Sequence, residues 1–241
     1  MVQTCKNCSY PTDNKFCPQC GQKTAVSRFT MKQLLHDFIH GFFHVDHGIL
    51  YTARELILRP GRTLRNYLHG HRIGLFNPFT YILLLGGISA VFLKQFHWQG
   101  LFVDLGLMTK KAIDTAMWNS SIKHFSLRLL IAIPLYAAIS WLFYYRKGYN
   151  FSEHLIVNTY LRGQGSLFML LLAPIVFWIH GPVVVLDIKL GFYAGVLMYI
   201  AWAYAGLFNE KITVPALLKG LLCAFLASLL ELFLLNLLIK K

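Results

Sequence analysis

The sequence predicts an all-α membrane protein with about five transmembrane helices, amphipathic juxtamembrane helices and a small cysteine-rich module at the N-terminus. Of the 241 residues, 56% are hydrophobic and 14% are charged, whereas about a quarter of the residues in soluble domains are charged. The apolar residues are also concentrated in five nearly continuous runs after residue 76, while the preceding part is polar, basic and rich in Cys and His.

The five apolar runs predict the transmembrane helices. A helix rises about 1.5 Å per residue, so a hydrocarbon core roughly 30 Å thick requires about 20 residues. Every run reaches this length with its flanking residues, and none shows the polar stripe of a soluble core helix. The predicted transmembrane domain covers residues 77–241, with spans at about 77–94, 127–145, 164–180, 189–208 and 214–239.

Two CxxC pairs separated by eight residues lie within residues 1–24, and their cysteines are Cys5, Cys8, Cys17 and Cys20. Four thiolates in this pattern can close a tetrahedral Zn²⁺ site. Gly21 after the second pair fits a knuckle whose backbone N–H groups turn towards the sulfurs. We therefore expect a zinc ribbon whose Zn²⁺ is structural, because four protein ligands leave no open coordination position for catalysis.

Residues 25–76 are predicted to form an amphipathic, basic and His-rich juxtamembrane region. The helix that begins near Thr30 has one apolar, aromatic face, which is typical of a helix lying in the membrane interface. Its other face carries a histidine row with spacings of four, four and three residues: His36, His40, His44 and His47. HxxxH spacing can chelate a second metal ion; the alternative is that the row is only the polar face of the helix.

Two more groups are candidate sites, and no catalytic residue is predicted. Three arginines before the first span can bind lipid phosphate bidentately or simply anchor that span as a cationic collar: Arg59, Arg62 and Arg72. Glu231 lies past the middle of the fifth span, where an ionisable side chain is costly and is a functional candidate.

The net charge of +13 is distributed as in membrane proteins, since ten of the 23 Lys and Arg residues precede the first span. This bias agrees with the positive-inside rule. We therefore expect a cytoplasmic N-terminus and anionic lipid head groups as partners. Nucleic acid is not an expected partner, and the ribbon is a candidate docking module for a protein.

Three segments together resemble a known family. The ribbon FCPQCGQ, the segment RFTMKQLLHDFIHGFFHVDHGILYTARELILRPG and the following YLHGHRIGLFNPF are similar to a bacterial membrane family filed as domain of unknown function 3667. The resemblance covers residues 1–93, and the later spans match only in hydropathy. It implies a zinc ribbon before a multispan domain in the bacterial inner membrane, and no established activity.

Two functions remain open from the sequence. The first is a non-enzymatic membrane protein that handles lipids or small solutes, or organises a membrane complex, with the ribbon as a cytosolic docking module. The second is a metal-dependent membrane enzyme or metal-ion handler that uses the histidine row. They differ in metal content, because the second requires more than one metal ion per chain.

Overall fold

The computed structural model describes residues 3–34, 48–95, 125–178, 182–209 and 211–239. The mostly helical class that the sequence predicts is confirmed. A two-stranded antiparallel sheet, β1 (Gln3–Thr4) and β2 (Pro11–Thr12), precedes the helices. The helices are α1 (Ile49–Leu58), α2 (Pro60–His69), α3 (Pro78–Gln95), α4 (Phe125–Tyr144), α5 (Phe151–Phe177), α6 (Pro182–Phe208) and α7 (Val214–Ile239).

The long helices α3 to α7 fall on the five apolar runs, but α5 begins well before the predicted residue 164. Its additional turns carry polar side chains that are buried inside the protein: Ser152, Glu153, His154 and Asn158. A hydropathy criterion ends a span at such residues, because it cannot recognise that a polar residue faces a protein interior. The apolar run was therefore only the second half of the helix.

Two helical segments in the described part of the chain are long and apolar enough to cross a membrane, namely Asp187–Phe208 and Val214–Glu231. Pro78–Phe92 is an apolar helical segment of shorter length. Length and composition thus identify two candidate spans, whereas the apolar runs of the sequence predict five.

Successive long helices alternate in direction, so the α4–α5 and α6–α7 turns lie at the same end of the bundle. The ammonium group of Lys147 in the first turn donates to Oδ1 of Asn209 after α6, at 3.0 Å. The cysteine module, α1 and α2 cover this end, which we call the capped end of the bundle.

α2 packs across the carboxyl end of α6 at very short range. A Cβ atom on Gly61 would lie 2.5 Å from the carbonyl carbon of Gly206, so the two backbones approach more closely than a larger residue allows. One turn further along α2, the Arg65 guanidinium donates to three carbonyl oxygens at 2.6–3.1 Å, those of Gly206, Leu207 and Asn209. Carbonyls at a helix end lack intrahelical partners, and Arg65 therefore caps α6.

The long helices expose large apolar side chains and bury several polar ones within a mainly apolar core. α7 exposes an apolar stripe along its length: Val214, Leu218, Leu222, Phe225, Leu229 and Phe233. Buried positions in the bundle include Ser140, His154, Asn158 and Gln164. A continuous exposed apolar stripe of this length is unusual on a soluble monomer.

Candidate metal centre

The four cysteine sulfurs of the N-terminal module converge on one point. The Sγ atoms all lie within 4.8 Å of one another; Cys5 and Cys20 are 3.6 Å apart, and Cys8 and Cys17 are 3.5 Å apart. Sulfurs about 2.3 Å from a tetrahedral zinc ion would be separated by about 3.8 Å. The cluster therefore has the donor atoms and the spacing to hold a metal ion.

Two short loops repeat the same backbone geometry around the sulfurs. In each loop the first cysteine donates its N–H to the carbonyl oxygen five residues later, at 2.8–2.9 Å. The residue after the second cysteine donates back to the first cysteine's carbonyl at the same distances. That residue is Ser9 in one loop and Gly21 in the other, with φ of 61° and 74°. The predicted knuckle at Gly21 thus has a counterpart at Ser9, where a left-handed serine is less favourable than glycine.

The backbone of the first loop favours a thiolate at Cys5. The N–H groups of Cys8 and Asn7 lower the pKa of the Cys5 thiol to about 7. The Cys8 thiol differs: the N–H of Tyr10 stabilises its thiolate, but burial and the neighbouring sulfurs together raise its pKa to about 12. Four thiolates so close together repel one another, and a bound cation would remove that repulsion.

Gln22 joins the cysteine module to the capped end. Its buried side chain donates from Nε2 to the carbonyl of Gly70 at 2.8 Å, and its Oε1 accepts the backbone N–H of Arg72 at 3.1 Å. Gly70 ends α2 in a left-handed conformation with φ of 108°. The residue after the second knuckle thus fixes the metal-binding loops to the carboxyl end of α2.

The segment after the module is tied to the beginning of α5. The Arg28 guanidinium donates to both oxygens of Glu153 at 2.9 and 2.6 Å, and to the carbonyl of Gly148 at 2.7 Å. Hydrogen bonds from the guanidinium to Glu153 raise the pKa of Arg28. Glu153 and Asn150 accept each other's backbone N–H at 2.9 Å, which is a reciprocal capping box at the first turn of α5.

The structure places the three predicted lipid-binding arginines in two different environments. Arg59 pairs with Glu55 of α1 at 3.2 Å, and Arg62 is exposed on α2. The Arg72 guanidinium instead lies 3.7 Å from the ring centre of Phe29, at the junction with the cysteine module. Binding of lipid phosphate by these side chains stays a prediction.

Glu231 has a cationic partner inside the bundle. Nη2 of Arg162 in α5 donates to Glu231 Oε1 at 2.9 Å, and the hydroxyl of Tyr136 in α4 donates to Oε2. Arg162 also lies 4.4 Å from the ring centre of Tyr136. This ionic cluster joins α4, α5 and α7. The contacts of Glu231 therefore contribute to the packing of these three helices.

The histidine row lies outside the described residues: His36, His40, His44 and His47. The candidate second metal site therefore stays a prediction.

Sequence reasoning missed a buried polar network that connects α4, α5 and α6. Nδ1 of His154 is 2.9 Å from Oγ of Ser140, which also accepts from Nδ2 of Asn158 at 3.0 Å. The hydroxyl of Tyr204 donates to Asn158 Oδ1 at 2.7 Å. The four-residue spacing of His154 and Asn158, which places both on one helical face, was the signal available in the sequence.

Fold and site together define a helical protein with two candidate membrane spans and a four-cysteine cluster that can hold a metal ion. Residues 46–89 match the family described as Protein of unknown function (DUF3667). This segment includes α1, α2 and most of α3, and the match confirms the family resemblance there. No curated protein and no solved structure matches the chain.

Proposed function

We propose that this chain is a non-enzymatic integral membrane protein with five spans, in which a structural zinc ribbon stabilises the capped end of the bundle. The exposed apolar stripe of α7 is the observation that carries the membrane assignment. From Val214 to Phe233 it is about 28 Å long at about 1.5 Å per residue, close to the hydrocarbon thickness of a bilayer, roughly 30 Å.

Zn²⁺ is the metal that the donor set favours, since four thiolates in a tetrahedral arrangement are typical of structural zinc sites. The ribbon is fixed to the bundle through Gln22, so it would act as part of the membrane domain. Tyr10 and Phe16 on the ribbon are exposed and would form the contact surface for a protein partner.

The exposed residues of α1 favour contact of this helix with a bilayer surface. It exposes Leu50 and Leu58 together with Arg54, and Arg59 and Arg62 follow at the beginning of α2. Exposed apolar side chains beside arginines are typical of helices that bind anionic lipid head groups. With the bias of basic residues towards this end, we propose the bacterial inner membrane with the capped end in the cytoplasm.

Metal analysis of the purified full chain tests the zinc assignment. We expect one zinc ion per chain, lost when Cys17→Ser and Cys20→Ser are combined. Cys223→Ser is the matched control, because Cys223 is buried in α7 and should leave the metal content unchanged. An iron cofactor, or zinc retained in the double variant, would contradict the assignment. A second zinc lost in His36→Ala with His40→Ala would instead favour the metal-handling alternative.

Membrane insertion is tested by alkaline carbonate washing of the membrane fraction, and topology by reporter fusions at both termini. We expect the protein to resist extraction and the two termini to lie on opposite sides, because five spans are an odd number. Extraction by carbonate would overturn insertion, and reporters on the same side would overturn the count of five.

A further inference from the structure

A cavity of about 430 Å³ lies between the cysteine module and the capped end of the bundle. We call it the junction cavity. Its walls come from four parts of the chain: Lys6 of the first knuckle, the linker from Val26 to Arg28, the end of α2, and the turn from Lys147 to Tyr149 with Glu153. Because Lys6 forms one wall, the complete cavity requires the folded and docked module.

The lining carries an excess of positive charge. Three cations, Lys6, Arg28 and Lys147, face the cavity with one carboxylate, that of Glu153. Both Glu153 oxygens already accept hydrogen bonds from Arg28. The carboxylate therefore balances Arg28 and leaves the two lysine charges uncompensated at the wall.

Each of the two lysines makes one hydrogen bond and keeps donors for a ligand. Nζ of Lys6 donates to the carbonyl of Val26 at 2.7 Å, and Nζ of Lys147 donates to Oδ1 of Asn209 at 3.0 Å. An ammonium group has three N–H donors, so each retains two beyond these bonds among the described residues. Both partners are neutral oxygens, so neither bond removes the charge.

We propose that the junction cavity binds a phosphate ester, carried either by a soluble small molecule or by a lipid head group. A phosphate offers several anionic acceptors to these lysine donors. The volume lies within the roughly 300–1,000 Å³ of small-molecule sites and exceeds what a bare phosphate needs, so room remains for the esterified group beside Val26 and Leu68. This site is different from the predicted one at Arg59, Arg62 and Arg72, and it goes beyond the proposed structural role of the ribbon.

Two probes distinguish the sources of the phosphate. The first is sn-glycerol 3-phosphate, titrated by calorimetry into the full metal-loaded chain in neutral detergent. The second is nanodiscs of phosphatidylcholine with one-tenth phosphatidic acid, from which retained lipid is counted by mass spectrometry after detergent extraction. Binding of the soluble probe identifies a soluble ester, and selective retention of phosphatidic acid without it identifies a lipid head group.

Each cavity variant has a control variant that removes the same charge from a nearby position outside the cavity. Lys6→Gln and Lys147→Gln should each weaken binding of the effective probe about tenfold, the value of one charge-assisted hydrogen bond. The controls are Lys15→Gln in the ribbon and Arg146→Gln next to Lys147, neither of which lines the cavity. Metal content is measured in every variant to confirm that the ribbon is folded.

Retained affinity in both controls together with its loss in both cavity variants supports the site. Equal weakening by all four substitutions would show diffuse electrostatic attraction and overturn it, as would failure of both probes to bind. Neither failure would affect the zinc or the membrane assignment, since those rest on metal content and extraction.

Discussion

At the scale of single residues, Gln22 is buried between the second knuckle and the end of α2, with both ends of its amide bonded to the backbone. Its partners, Gly70 and Arg72, lie about fifty positions away in the chain. Because a buried N–H or carbonyl without a partner is costly, this amide favours the docked position of the module on the end of α2.

Gln22→Ala should weaken the attachment of the ribbon by about 2 kcal/mol, since it leaves the buried carbonyl of Gly70 and the partly buried N–H of Arg72 without their partner. Hydrogen exchange should become faster at Gly70 and Arg72, while the metal content stays unchanged. Gln19→Ala changes an exposed residue of the same knuckle and is the control. Equal exchange in the two variants would show that the amide does not hold the ribbon in place.

The ion pair of Arg162 and Glu231 permits a double-mutant cycle. Glu231→Met or Arg162→Met alone should destabilise the folded state by about 3–5 kcal/mol, because each leaves a partly buried charge without its partner. The double variant should lose less than the sum of the two. Arg59 provides the control: its side chain is 51% exposed in the pair with Glu55, so Arg59→Gln should cost under about 1 kcal/mol. Unfolding in detergent measures all four, and strict additivity would mean that the pair is uncoupled.

Local spacing predicted the cysteine cluster because all four ligands lie within 16 residues of one another and two of the turns are set by Ser9 and Gly21. The same reasoning could not find Gln22, Arg65 or the partner of Glu231. Their contacts join residues separated by 48 to 144 positions, and one sequence contains no signal for which distant segments meet. Arg72 illustrates this: a basic collar residue by sequence, it packs on Phe29 in the fold.

At the scale of elements, the contact of α2 with α6 depends on the absence of side chains at Gly61 and Gly206. Small residues at such crossings let helix backbones approach and gain contact over their whole length. This close approach also brings Arg65 within reach of the α6 carbonyls, so helix packing and helix capping are coupled at the same crossing.

Gly61→Ala should destabilise the protein by at least about 2 kcal/mol, because the new methyl group would overlap the α6 backbone, which cannot move away as a side chain can. Gly87→Ala in α3 is the control. Nothing lies within 4 Å of its Cβ position, and alanine in an open helical site stabilises by about 0.5–1 kcal/mol. Thermal unfolding in detergent compares them, and the same sign for both changes would contradict the crossing geometry.

Helix positions were predictable where an apolar pattern coincided with a stop signal. Pro60 follows the end of α1 and begins α2, and proline at the first helical position is a start signal that can be read from one sequence. The first half of α5 was not predictable, since its buried Glu153, His154 and Asn158 have the composition of a surface loop. Only their partners on other elements, Arg28, Ser140 and Tyr204, make burial favourable.

At the scale of the whole molecule, the contacts to the cysteine module concentrate at one end of the bundle. Gln22 holds α2, and α2 holds α6 through Gly61 and Arg65. Arg28 holds the first turn of α5 through Glu153. A metal ion bound by the four cysteines would therefore act on three helices that it does not touch, and on the junction cavity that the module completes.

Metal removal tests this connection. A structural metal contributes directly to the folding of so small a module, so a chelator should abolish hydrogen-exchange protection at residues 3–24 and reduce it near Gly70. Protection around Tyr204, which bonds within the bundle, should persist. Metal removal should also displace Lys6 from the cavity and so weaken binding of the phosphate probe. By reciprocity, the bound probe should raise the affinity of the chain for the metal.

The chelator experiment shows whether the ribbon supports α2 and the junction cavity or folds independently of them. If the chelated protein loses protection at residues 3–24 but keeps it near Gly70 and keeps its probe affinity, the ribbon folds by itself and does not support α2 or the cavity.

Restored metal is the control for irreversible damage, because adding Zn²⁺ back should recover both protection and binding. Lys15→Gln should behave as the unmodified chain throughout, since Lys15 lies in the ribbon but away from the cavity. Parallel recovery of exchange protection and probe affinity would show that one metal-dependent unit controls both.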